Sequence, residues 1–230
     1  MARDMPPDVK ERSMSDSGAF RNGGGGGAPE PWRSASTSQA EGGREEVTED
    51  KLDAEVVERK VKGLLKEYYD SGDANEAVEC VRELGASRDN RLLMETMLGC
   101  ELETSKQQHI DKPIALVSKL VQADLMTNDD VTKGFASIFE FVDDLVLDFP
   151  FAASYIGQLA GRAMVAKVVD PTVVAGAMAL EKGGEVVSGF LAAVYREEGP
   201  EAMHAAHTAA KLEVGIEALR EGLAKLDVEV

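Results

Sequence analysis

An all-α fold built from antiparallel helix pairs is what three features of this sequence predict. From about residue 52 onward, apolar residues recur at three- and four-residue spacing, and no run alternates convincingly at period two. The connections between these stretches are short and rich in turn formers. Composition points the same way, with 43% hydrophobic residues but only 5% aromatic ones, a balance that favours helices over a β-sandwich. Successive amphipathic helices joined by short loops pack as antiparallel neighbours, in a helical-repeat stack or an irregular bundle.

Each element has its own signal. Val57, Val61, Leu64 and Tyr68 mark the inner face of a first helix, which the Asp-Ser-Gly-Asp turn at 70–73 interrupts. Asp73 is placed to cap a second helix, with Ala77, Val78 and Val81 inside and Gly85 as its stop. A third, about 91–102, is apolar on more than one side through Leu92, Leu93, Met94, Met97 and Leu98, as central helices are. Pro113 in an N1-like position opens a fourth, followed by Ile114, Leu116, Val117, Leu120 and Val121. Thr127 and Asp130 form a capping-box pattern for a fifth, whose stripe is Val131, Phe135, Ile138, Val142 and Leu145. A sixth is expected to begin at or just before Pro150 and to bury Ile156, Leu159, Ala160 and Ala163. Beyond Pro171, roughly three more helical segments follow, punctuated by Gly183-Gly184 and Gly199-Pro200. The last carries a two-heptad seam, Leu212, Ile216, Leu219, Leu223 and Leu226, expected to pack on the preceding helices.

Three regions follow: a Gly/Ser-rich tail over 1–50, a helical domain over 51–169 and a helical extension over 170–230. The tail, with five consecutive glycines from Gly23 to Gly27, is expected to be disordered. Trp32 and the serines after Arg33 are its candidate short motif and phosphorylation site. The net charge of −17 argues against nucleic-acid binding, which needs a basic face, and suits either solubility or a basic protein partner. The N-terminus lacks an apolar signal core, and no uncharged apolar run is long enough for a membrane span. A cytoplasmic protein, with the nucleus as a second location, is the expectation.

Catalytic chemistry finds little support. Cys80 and Cys100 form no metal or disulfide pattern and read as free thiols within helices. His204 and His207 stand i, i+3, yet no third ligand is identifiable, and Glu213 is too far along. His109 lies isolated in a polar loop, and Asp129-Asp130 sits at a helix start, where the dipole explains it. No catalytic residue, cofactor, metal or small-molecule substrate is therefore predicted.

The stretch Asp143 to Pro150, "DDLVLDFP", is harder to explain. Asp144 and Asp148 are four apart and would share a helical face near a helix end, where the dipole disfavours negative charge. Structure alone offers an account: Asp148 as N-cap of the sixth helix, Asp144 as a solvated residue in the preceding last turn, and Asp143 as a bystander. Leu145 and Leu147 would face the core and anchor the turn.

Two segments add a resemblance. One is Leu64 to Leu84, an apolar helix ending in tyrosines, an Asp/Gly turn, and a helix opening near Glu-Ala. The other is Asp143 to Met164, in which Asp-Leu-x-Leu-Asp-x-Pro is followed by Ile-Gly-Gln-Leu-x-x-Arg-Ala. Together they resemble the MA-3 (MI) domain, found in translation initiation factor 4G and, as a tandem pair, in programmed cell death protein 4. The resemblance spans roughly residues 55 to 170. It implies a HEAT-like α-α superhelix that binds initiation factor 4A, a DEAD-box RNA helicase, through that partner's N-terminal RecA-like domain. Carried onto this sequence, Asp144 and Asp148 make the contact and Pro150 shapes the turn. In some members such docking represses translation, whereas in scaffolds it recruits the helicase. Only one such domain is found, and the stretch from Pro171 onward matches no motif of the family.

Overall fold

A computed structural model describes residues 54–85, 89–104 and 110–228. Among these, all regular structure is helical. The tail over 1–50, with Trp32 and its serines, and the loop holding His109 lie outside the described residues.

Helix α1, Ala54–Ser71, buries Val57, Val61, Leu64, Leu65 and Tyr68 along the expected stripe. α2, Ala74–Glu83, begins where the Asp73 carboxylate accepts from the Asn75 and Glu76 amides at 2.9 and 3.2 Å. It stops at Gly85, whose φ of +81° is the left-handed geometry glycine adopts freely. α3, Asn90–Thr104, buries residues on several sides, including Leu93, Met94, Met97, Leu98 and Leu102. α4, Asp111–Gln122, starts two residues before Pro113, which therefore sits third in the helix and not first. The proline is tolerated because first-turn amides have no intrahelical acceptor to lose.

α5, Asn128–Glu140, opens on a complete capping box: Asp130 N donates to Thr127 Oγ1, and Thr127 N donates back to the Asp130 carboxylate. The expected stripe is then cut. Residue 141 leaves helical ψ, so Val142 and Leu145 belong to a separate short helix, α6, Val142–Asp148. A turn over 149–151 leads into α7, Ala152–Val165, which begins after Pro150. Pro171 opens a 3-10 turn, and α8 (Gly183–Glu198), α9 (Pro200–Ala209) and α10 (Arg220–Ala224) follow. The terminal seam is not one helix: a turn around Lys211 breaks it, Leu219 and Leu223 are buried, and Leu212, Ile216 and Leu226 are only half-buried.

The helices stack in two rows, α1, α3 and α5 in one, α2, α4 and α7 in the other. This is the HEAT-like arrangement of helix pairs expected from the resemblance. Polar ties cross the rows: the Tyr68 hydroxyl donates to the Lys112 carbonyl at 3.1 Å, and Lys112 Nζ donates to the Tyr69 carbonyl at 2.9 Å. α6 links α5 to α7, and α8 lies against α7 with α9 and α10 packed on it. Small residues bring the α7 and α8 backbones into contact. A Cβ on Gly157 or Gly161 would strike the carbonyls of Val186 or Phe190, and one on Gly189 would strike that of Ser154. Phe190, Leu191 and Val194 on α8 are fully buried, as are Ile156, Leu159 and Ala160 of α7.

A candidate docking site on a short acidic helix

A seven-residue helix is too short to hold itself, so its neighbours fix α6. Val142 is buried at its start, Leu145 packs against the core, and the Phe149 amide donates to the Leu145 carbonyl at 2.8 Å. Beyond its end, the rings of Phe149, Phe151 and Tyr155 meet edge-on in succession, with centroids 6.3 and 5.9 Å apart. This ladder pins the Pro150 turn to the start of α7.

The geometry revises the expected roles of every acid in the stretch. Asp143, taken as a bystander, is a structural residue: its carboxylate accepts from the Glu181 amide at 3.0 Å and the Lys182 amide at 2.9 Å. These amides belong to the N-cap of α8 and the residue before it, just outside the helix. Asp148 is not an N-cap. It is the last residue of α6, and the cap position of α7 is Phe151, which receives no side-chain bond. Asp144 lies in the first turn of α6, not in the last turn of the preceding helix. Both Asp144 and Asp148 are exposed, and among the described residues neither carboxylate has a hydrogen bond or ion pair. Pro150 is exposed in the turn beside them.

Leu147 also departs from expectation. Expected in the core, it is 79% exposed, and Phe141 is 57% exposed. These two are the large hydrophobic side chains left in solvent among the described residues, and they alternate with the two acids along the element. Residues 141, 144, 147 and 148 recur at three- and four-residue spacing, so one face of the element combines two apolar groups with two carboxylates. The spacing was present in the sequence. The continuous helix expected through Leu145 concealed which of these residues would face outward.

The other candidate chemistry is satisfied internally. His207 Nε2 lies 2.7 Å from the Val214 carbonyl, and His204 is exposed. Among the described residues no group of three or more His, Cys, Asp or Glu converges as a metal would require. Cys100 is buried, which pushes its thiol up to about 11, and Cys80 is half-buried. Sequence reasoning missed Glu101, which is buried in α3 and accepts from the Tyr155 hydroxyl of α7 at 3.2 Å. Burial pushes its carboxyl up to about 7, against the opposing pull of that hydrogen bond. It lies inside the stack and serves packing between the rows.

Comparison with known proteins places these elements. The MA3 domain family model matches residues 57–170, from α1 to just beyond α7. MA3 domain-containing translation regulatory factor 3 of Arabidopsis thaliana is 31% identical over 110 residues, 48% of this chain and 15% of that protein. Eukaryotic translation initiation factor 4 gamma 3 of Mus musculus is 31% identical over 110 residues, 47% of this chain and 7% of that protein. Eukaryotic translation initiation factor 4 gamma 2 of Homo sapiens is 31% identical over 109 residues, 46% of this chain and 12% of that protein. The chain thus spans less than a fifth of the length of these relatives.

Proposed function

Through residues 57–170 the chain belongs to the MA3 domain family, and we propose that it is a non-catalytic docking module for a DEAD-box helicase of the initiation factor 4A type. In this reading α6 contacts the helicase's N-terminal RecA-like domain, with Asp144 and Asp148 as the pairing acids and Pro150 setting the turn. One observation carries it: among the described residues, two exposed carboxylates without a hydrogen-bond or ion-pair partner share a face with the two exposed large hydrophobic side chains. Packing would not select that combination. A recognition surface would, because apolar groups exclude water around charge pairs and so strengthen them.

The relatives' names support a translation-related role. A helicase grips RNA phosphates with Arg and Lys, and carboxylates engaging those cations in charge-assisted hydrogen bonds compete with RNA. Inhibition of initiation, in the cytoplasm, is therefore the direction proposed. The similarity to initiation factor 4 gamma favours a second reading, a scaffold that recruits its helicase.

The test is binding of purified initiation factor 4A to the wild type and to Asp144→Ala/Asp148→Ala. Loss of each acid should cost on the order of 2 kcal/mol of affinity. A wild type that does not bind, or a double variant that binds equally well, would overturn the reading. Helicase ATPase activity then decides direction, falling on addition of the chain for inhibition and rising for recruitment.

A further inference from the structure

The surface around α6 continues onto α8. The two bonds from the Glu181 and Lys182 amides to Asp143 close a separation of 38 and 39 residues and hold the 181–185 turn beside α6. Between them runs an open groove. One wall is Val146, Leu147 and Pro150, and the other is Glu181, Lys182 and Glu185. Lys182 Nζ lies 3.6 Å from Glu185 Oε1, and the Glu181 side chain is exposed with no ion pair among the described residues.

We propose that this groove is the second half of the docking surface and receives an arginine- or lysine-bearing segment of the helicase. The proposal rests on the docking role given above for α6. The shape of the groove selects the occupant. A long cationic side chain carries an apolar stem that can lie on Leu147 and Pro150, and a charged head that can reach Glu181 and Glu185. Leu147 is the more exposed of the two large apolar side chains in solvent, so it has the most surface to cover. Charge complementarity agrees, since the carboxylates of Asp143, Glu181 and Glu185 outweigh the one cation, Lys182, in the groove, on a chain of net charge −17. A second copy of this chain is a poorer occupant, because it would bring the same acids to the same place. The helical extension therefore contributes to recognition beside the family-matched region, and Asp143 sets the spacing of the two walls.

The experiment titrates the full chain against purified initiation factor 4A at two salt concentrations. It compares the wild type with Glu181→Lys/Glu185→Lys, the milder Glu181→Gln/Glu185→Gln, Leu147→Ala, and Asp144→Ala/Asp148→Ala. The charge reversal and Leu147→Ala should each weaken binding about tenfold or more and the glutamines less, with Leu147→Ala and the glutamines at unchanged melting temperature. Wild-type binding should weaken as salt rises. If the wild type and all three groove variants bind alike while the α6 double variant fails, the groove proposal is overturned and the α6 reading stands. If the wild type does not bind, both fall. A dimer in light scattering that Leu147→Ala converts to monomer would also overturn the proposal, by making a second copy the occupant.

Discussion

Along α7, glycine and alanine bring the backbone of α8 into contact, whereas α6, just upstream, leaves Phe141, Asp144, Leu147 and Asp148 in solvent. The two regions are neighbours in sequence and both touch α8, the first through its backbone and the second through Asp143. At the α7–α8 contact each side chain is limited by the space available, so folding alone accounts for its residues. On α6 folding accounts for Val142, Leu145 and Asp143 and leaves the outward face unexplained. On the docking role proposed for α6, the contrast marks the candidate surface as the place where residue choice exceeds what packing needs.

That contrast can be broken at three points. Gly157→Ala or Gly189→Val drives a Cβ into the facing carbonyl, and the helices must separate. We expect the largest loss there, on the order of 3 kcal/mol, read as a fall in denaturant midpoint. Glu101→Gln is the intermediate case. With its folded pKa raised to about 7, Glu101 contributes stability that is fully present below its unfolded pKa and is lost as pH rises through the folded value. Wild-type stability should therefore fall between about pH 5 and about pH 8 by on the order of 2 kcal/mol from this group, and the glutamine variant should flatten that slope. An unchanged slope in Glu101→Gln would show that the buried carboxyl is not the source. The smallest effect belongs to α6: Asp144→Ala/Asp148→Ala should melt within about 0.5 kcal/mol of wild type. A loss nearer 1 kcal/mol, the size of a deleted cap, would give the acids a structural role and erase the distinction.

Much of this was legible in the sequence where local chemistry decides structure. Asp73 and the Thr127–Asp130 pair announce helix starts because a side-chain oxygen beside orphan amides has few better uses. The inner faces of α1 and α2 follow the helical period because each has one buried side, whereas α7 is enclosed on several sides. What escaped was set by tertiary contact or lacked a signal. Helices α4, α7 and α9 end at Asp124, Lys167 and Lys211, all with positive φ, where no glycine marks the stop. The division of α5 from α6 depends on how Phe141 is left outside the stack. Asp143 could not be read as a cap because the amides it holds are remote in sequence. At the candidate site the acids and the proline were identifiable by spacing. Their exposed apolar neighbours were not, since a leucine within an apolar run carries no mark of the side on which it will lie.

The contact between α7 and α8 also bears on how such a module can be passed from one protein to another. The matched region ends at residue 170, before the helix that packs against Gly157 and Gly161. A segment cut at residue 170 would carry the acidic helix away without α8 and leave bare the α7 face that holds Gly157 and Gly161. Inheritance of a working unit therefore requires the next helix, or a substitute of equal thickness with small residues facing Gly157 and Gly161. The length over which recognition is written and the length over which the body is self-sufficient are different lengths, and recombination must respect the longer.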